Sequence, residues 1–364
     1  MTEPEILFER RGRLGLVTLN RPKALNALSL GMIAAFHRQL LAWAGDDDIA
    51  AVAVAGAGGK AFCAGGDVAS LYRDGLAQRR GESDGAACRD FFRNEYRLDR
   101  LTARFPKPYV SLIDGVFMGG GVGISCHGAH RVVTEKALFA MPETGIGLFP
   151  DVGASYLLPR LPGKIGNYLG LTGARLTAAD LLYAGIATAY VPAVKMQSLL
   201  AALVEAPEDA AAVIASVAEI PSQAPELAAR RGEIDDCFSA PDVAGVLERL
   251  TGVGSEWALE TAAGLRRMSP TSLKLTLEAS RRGADLTLDA CFIMEYRHSQ
   301  GCMAGGDFYE GVRAVLIDKD KSPRWSPEKL EEVSDAVIAA HFAAPAAGDL
   351  SFDDEDSQTF ASQV

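Results

Sequence analysis

The sequence predicts an α/β fold in which a spiral of ββα units is followed by a helical C-terminal region. Three observations carry this reading. A strand, an amphipathic helix and a second strand follow one another between residues 16 and 55, the pattern of a crossover unit with a parallel sheet. The strand, turn, helix unit then repeats about every 50 residues, with weak similarity between turns. From about residue 160 onward helix formers dominate.

Each element has its own signal. Ile6 to Asn20 alternates apolar and polar residues around Gly12 and Gly15, as a β-hairpin does. A turn or loop over 21–28 follows, and Ser29 then caps a helix whose apolar face includes Met32, Ile33, Phe36, Leu40 and Leu41. Ala50 to Ala55 reads as a buried strand. Phe62 to Val68 is a Gly-rich turn leading into a helix, and the polar stretch 73–90 reads as a surface excursion or mobile segment. Helical periodicity resumes at Phe91 and breaks at Pro106-Lys107-Pro108. Tyr109 to Gly115 is a buried strand that opens onto Gly119-Gly120-Gly121 and a helix with Ile124 and Cys126. Arg131 to Thr134 and Ala137 to Ala140 are further short strands. Beyond these, 178–185, 196–218, 256–280 and 285–304 read as helical, with 219–233 as a linker. The expected division is a core over 1–205, a helical region over 206–345 and a mobile acidic tail over 346–364.

Composition narrows the function. The chain has 364 residues, 48% hydrophobic and 23% charged, an ordinary globular mix. A formal net charge of −11 argues against nucleic acid or an anionic membrane as partner. No apolar run approaches the roughly 20 residues that span a bilayer. The acidic N-terminus has neither a hydrophobic signal core nor an Arg-rich transit pattern, so a cytoplasmic location is expected. Cys63, Cys88, Cys126, Cys237, Cys291 and Cys302 are scattered, as reduced thiols are.

The chemistry concentrates in three segments. Met141 to Gly153 holds two carboxylates, Glu143 and Asp151, in an otherwise apolar Gly- and Pro-rich loop. Acids in such surroundings have raised pKa values, which suits acid, base or nucleophilic work. Ala64-Gly65-Gly66 and Gly119-Gly120-Gly121 each follow a strand and precede a helix, where main-chain N–H groups are unpaired. Either run alone is explained by close packing; both together with the acids suggest an oxyanion hole. Neither run completes a phosphate loop or a dinucleotide fingerprint. His127 and His130 have no nucleophile-elbow serine nearby and read as structural. Glu143 and Asp151 have no metal-ligand partner spacing, so no metal and no other cofactor is expected.

Asn20-Arg21-Pro22-Lys23-Ala24-Leu25-Asn26-Ala27-Leu28, Ala61-Phe62-Cys63-Ala64-Gly65-Gly66-Asp67 and Asp114-Gly115 with Met118-Gly119-Gly120-Gly121 resemble the signature segments of the crotonase (enoyl-CoA hydratase/isomerase) superfamily. Phe139 to Gly153, Ser269-Pro270-Thr271-Ser272-Leu273-Lys274, Met294-Glu295-Tyr296-Arg297 and Glu310-Gly311-Val312-Arg313-Ala314 resemble its family of 3-hydroxyisobutyryl-CoA hydrolases. The resemblance covers roughly 5–335 and implies a crotonase-like spiral, an acyl-CoA substrate and thioester hydrolysis in valine breakdown. It implies an oxyanion hole from the amides of Gly66 and Gly120. Glu143 would be the main catalytic carboxylate, as nucleophile or base, and Asp151 and Glu95 would contact the substrate's 3-hydroxyl. An anionic CoA on an acidic protein needs bases, so Lys23, Lys274, Arg313 and Lys319 are candidate contacts for its phosphates, against the plainer reading of solvated bases, with Ala24, Ala64 and Asp67 as further CoA-binding candidates. Hydratases of the superfamily carry a second glutamate where this chain has Gly123, and a glycine where it has Asp151, which argues for changed chemistry. A hydratase or isomerase, a non-catalytic acyl-CoA-binding protein and a homo-oligomer stay open as alternatives.

Overall fold

The alternation in Ile6 to Asn20 does fold as a hairpin: β1 (Ile6–Arg11) pairs antiparallel with β2 (Leu14–Leu19). The computed structural model describes residues 3–353. Ser29 accepts from the Met32 amide and starts α1 (Leu30–Ala44), which returns the chain to β3 (Ala51–Gly56), parallel to β2. Leu41, expected on the buried face of α1, is 45% exposed; Trp43, three residues after Leu40, completes the stripe instead. Next come β4 (Ala61–Cys63), α2 (Val68–Arg79), α3 (Ala86–Ala103), β5 (Tyr109–Ile113), β6 (Val116–Met118), α4 (Gly120–Cys126), β7 (His130–Val133) and β8 (Leu138–Ala140). The stretch 73–90, expected as a surface excursion, is largely helical. The reason is packing: Gly75 of α2 lies against Tyr309 and Cys88 of α3 is buried, so only a short turn separates the two helices.

The strands form two sheets. Six are ordered β1-β2-β3-β5-β7-β9, where β9 is Ala189–Tyr190, and all but β1 run parallel. The other three, β4-β6-β8, form a smaller parallel sheet. That sheet positions everything discussed below, because parallel neighbours end on the same edge. One edge therefore carries the Gly65-Gly66 turn after β4, the Gly119-Gly120 turn after β6 and the Glu143 loop after β8.

After the acidic loop come α5 (Ala154–Leu157), α6 (Ile165–Thr172), α7 (Ala178–Tyr183), α8 (Met196–Glu205), α9 (Ala210–Val217), α10 (Glu226–Phe238), α11 (Val243–Val253) and α12 (Glu256–Leu265). The last four among the described residues are α13 (Pro270–Gly283), α14 (Leu288–Ala304), α15 (Asp307–Val312) and α16 (Asp335–Ala340). Helices α8 and α9, on either side of residue 205, together cover one face of the large sheet, with Leu199, Leu203, Ala210 and Ile214 over Leu16, Ala53, Val110 and Leu112. The other face joins the main core with α1, α3 and the later helices. The expected linker 219–233 is half helix, since Leu227, Ile234, Cys237 and Phe238 give α10 a buried stripe. All six cysteines are buried and free.

The expected mobile tail over 346–364 begins too early. Asp349 accepts from Arg297 at 2.6 Å, Leu350 and Phe352 are buried, and the Arg100 guanidinium lies 4.5 Å from the Phe352 ring centre. Apolar anchors in an acidic segment give it a reason to dock. Residues 354–364 lie outside the described residues.

Two glycines test this packing. A β-carbon on Gly121 of α4 would overlap the Cys63 carbonyl of β4, whereas Gly232 in α10 has nothing within 4 Å. Gly232→Ala should raise stability by about 0.5–1 kcal/mol in denaturant titration. Gly121→Ala should lower it by about 1–3 kcal/mol. Equal effects would show that α4 and β4 do not approach as described.

Candidate active site

The two glycine turns meet backbone to backbone. A β-carbon on Gly120 would stand 3.3 Å from the Gly66 nitrogen and 3.2 Å from Leu28 Cδ1; one on Gly119 would stand 3.5 Å from the Gly65 Cα. A β-carbon on Gly120 would overlap Glu95 Oε1, so that position has no room for a side chain. Leu28 ties the turns to the 21–28 loop: its amide donates to the Gly65 carbonyl at 2.8 Å and its carbonyl accepts from Asp67 at 2.9 Å. The Gly66 and Gly120 amides donate to no acceptor among the described residues. Gly120 is also the first residue of α4, where helix N–H groups are unpaired and the dipole is positive.

Three acids surround this pair. Glu143 opens a short 3₁₀ turn after β8, and its Oε1 lies 3.2 Å from where a Gly119 β-carbon would stand. Glu95 projects from α3, with Oε1 against Gly120 and 3.7 Å from a Gly66 β-carbon position. Asp151 accepts a 2.8 Å hydrogen bond from the Tyr96 hydroxyl. Glu95, Glu143 and Asp151 are all at most 5% exposed, and Glu95 Oε1 and Glu143 Oε2 have no hydrogen-bond partner. Burial pushes Glu143 well above the usual carboxylate range, and the charge of Asp151 pushes it further. Glu95 is raised by burial and then by Asp151 and Glu143. Asp151 is pushed up to about 6 by burial, while the Tyr96 hydroxyl holds it back by stabilising the anion. None of the three makes an ion pair among the described residues. Nor is any group of three His, Cys, Asp or Glu side chains among the described residues arranged to hold a metal.

The remaining sequence-predicted residues divide. Lys23 and Ala24 are exposed on the 3₁₀ turn Pro22–Ala24, the Ala64 amide donates to the Leu25 carbonyl at 3.0 Å, and Asp67 pairs with Arg21 at 3.0 Å, so these four share one rim beside the glycine turns. The other three lie on later elements of the chain. Arg313 is already held by Glu310, Asp318 and Asp320, at 2.7 Å to each of the last two, which leaves its guanidinium no share for a phosphate. Lys274 donates to the Val333 carbonyl at 2.7 Å and lines a separate groove of about 500 Å³ with Asp242, Arg281 and Asp335. Lys319 is exposed in the segment that follows α15.

Sequence reasoning missed Tyr96 and Asp99. Both share α3 with Glu95, and Asp99 lies one helical turn on, so the helical period was the available signal. Asp99 is fully buried with neither oxygen partnered, and a β-carbon on Gly123 would stand 2.5 Å from its Oδ2. Its carboxyl thus fills the space that Gly123 leaves. Burial, then Glu95, Asp151 and Glu295, raise Asp99 well above the usual range.

Residues 14–342 match the enoyl-CoA hydratase/isomerase family model. The chain is 48% identical over 356 residues to the mitochondrial 3-hydroxyisobutyryl-CoA hydrolase of Rattus norvegicus, covering 96% of this chain and 91% of that one. It is 47% identical to the Homo sapiens protein of the same name, with the same coverage. Among solved structures, a carnitinyl-CoA dehydratase from Mycobacterium thermoresistibile is similar at 42% identity and TM-score 0.90, over 96% of this chain and 99% of that one. An enoyl-CoA hydratase from Rhodobacter sphaeroides 2.4.1 is similar at 40% identity and TM-score 0.87, over 96% and 100%. The rat and human names place those relatives in the mitochondrion, which overturns the cytoplasmic location expected from the N-terminal residues. The physical reason is that an address is read by a receptor from a short segment outside the fold, and residues that lead into β1 do not report it.

Asp99 gives the acid cluster a measurable signature. Its folded-state pKa lies above the unfolded value of about 3.9, so the stability it contributes is full below that pH and is lost as pH rises towards its folded value. Asp99→Asn removes the titration. The variant should melt close to the parent near pH 4 and increasingly above it towards pH 8, by about 1–3 kcal/mol. A difference that does not grow with pH would mean that Asp99 ionises freely in the native protein.

Proposed function

The chain belongs to the enoyl-CoA hydratase/isomerase family, and from that membership we propose that it hydrolyses the thioester of 3-hydroxyisobutyryl-CoA to 3-hydroxyisobutyrate and CoA. One observation carries the reading: a buried carboxyl with a free oxygen, Glu143, beside two open amides, with a second acid, Asp151, held in electrostatic range. The reaction is a step of valine breakdown in the family that the sequence resembles.

The thioester oxygen accepts from Gly66 and Gly120, whose hydrogen bonds strengthen as negative charge develops on it; each such donor is worth about 3 kcal/mol in known cases. Glu143 then either attacks the acyl carbon, giving an anhydride that water opens, or takes a proton from the attacking water. In both routes the C–S bond breaks, one water is consumed, the acyl group leaves as a carboxylate and the sulfur leaves with a proton. Asp151 and Glu95 bind the 3-hydroxyl, and Asp151 serves proton transfer. The rim of Lys23, Ala24, Ala64 and Asp67 seats the CoA arm. Both routes need Glu143 ionised. Because burial holds it protonated above the ordinary range, activity rises with pH until that proton is lost.

A hydratase reading has one observation in its favour beyond the names of the two solved relatives: Asp99 brings a carboxyl to the face of Gly123. Asp99 is sealed from solvent, which favours hydrolysis.

A panel of short acyl-CoAs separates the readings. Free thiol from 3-hydroxyisobutyryl-CoA is expected, with crotonyl-CoA absorbance unchanged; hydration without thiol release would overturn the proposal. Glu143→Gln should lower kcat by about 10²–10⁴-fold while CoA still binds by calorimetry. The parent's kcat/KM should climb between about pH 5 and pH 8, and a profile flat over that range would exclude Glu143 as the group that must ionise.

A further inference from the structure

Asp151 sits in a backbone that does not hold itself. Val152, a β-branched residue, has φ +55° and Gly153 has φ +82°. A non-glycine residue in that region is strained and persists only where its surroundings fix it. The carbonyl of Val152 is met by His127 Nε2 at 2.7 Å. The rest of the restraint comes from one side chain about 140 residues away. Glu295 of α14 accepts from the Gly153 amide at 2.7 Å, the Ser155 amide at 2.9 Å and the Ser155 hydroxyl at 2.6 Å.

Glu295 is fully buried and makes no ion pair among the described residues. The three loop donors are what satisfies it, so carboxyl and loop fix each other. Its neighbours on α14 serve the same segment. Phe292 Cε1 lies 3.2 Å from where a Gly153 β-carbon would stand, and the His298 ring lies 5.2 Å from that of Phe149. At spacings of three, Phe292, Glu295 and His298 form one helix face turned to residues 149–155.

We propose that Glu295 is a positioning residue for the hydrolysis: it holds the 151–155 turn so that Asp151 stays on Tyr96 and faces the site that Glu143 and the glycine amides form. The helical C-terminal region thereby contributes to the chemistry as well as to packing. This rests on the thioesterase reading for its kinetic arm and on geometry alone for its structural arm.

A double-mutant cycle tests it. Thiol release from 3-hydroxyisobutyryl-CoA is measured for the full chain, Glu295→Gln, Asp151→Asn and the double variant. Glu295→Gln is expected to lower kcat about 10–100-fold, with KM changed less than threefold, and to cost nothing further in the Asp151→Asn background. Losses that multiply in the double variant would overturn the proposal, as would parent-like kcat in Glu295→Gln. Ser155→Ala, which removes only the hydroxyl bond, should give a smaller loss of the same kind and covers the case in which Glu295→Gln fails to fold. Amide hydrogen exchange supplies a readout independent of turnover: Glu295→Gln should speed exchange at Gly153 and Ser155 while helix α4 stays protected. Unchanged exchange at those two amides would overturn the latch itself. A parent chain that releases no thiol, with exchange still faster in Glu295→Gln, would sink the thioesterase reading and leave the latch standing.

Discussion

The parallel register of three short strands is the constraint on which the rest depends. Pairing β4 with β6 and β6 with β8 in one direction brings three chain segments, far apart in sequence, to a single edge. Once there, they must crowd. The first two turns touch while Phe91 and the Glu95 carboxyl press on them, since a β-carbon on Gly66 would meet Phe91 and one on Gly120 would meet Glu95 Oε1; the two amides there have no acceptor among the described residues. Gly120 is buried and Gly66 half-buried, and an unpaired buried donor is costly, so at Gly120 folding stability has been given up in exchange for a ready hydrogen-bonding surface.

The carboxyl groups follow the same economy. Glu95, Asp99, Glu143, Asp151 and Glu295 are buried within one region, and none is matched by a cation among the described residues. They differ in what satisfies them. Glu295 has three donors and Asp151 has a tyrosine, whereas Glu95 and Glu143 each keep an oxygen unpartnered next to the open amides. Groups that are fully satisfied hold shape; groups left short are the ones available to a ligand. Asp99 belongs to neither class, since both its oxygens are unpartnered and closed off behind Gly123.

Much of this was legible in the sequence because it rests on local signals. The hairpin, the cap at Ser29, the buried strand β3 and the glycine runs all follow from spacing and turn chemistry. Strands β4 and β6 were not, since each is three residues long and runs straight into a Gly-rich turn that masks it. The docking of Phe352 was not, because the partners that make it worthwhile, Arg100 and Phe292, come from distant helices. Arg313 shows the reverse error: a lone arginine in a string reads as available, and three nearby acids show that it is not. Tyr96 and Asp99 lay within reach of reasoning, one and four residues past Glu95 on the same helix.

The span between Gly153 and Glu295 has a consequence for how the molecule comes into being. A chain emerging from the ribosome has made both glycine turns and the acidic loop long before α14 exists. During that interval the strained Val152 turn has no carboxyl to close on, and the early two-thirds of the protein carries its chemical groups without the last element that sets one of them. Synthesis therefore separates the presence of the parts from their alignment, and an interrupted translation product would hold the amides of the site while lacking the brace that finishes it.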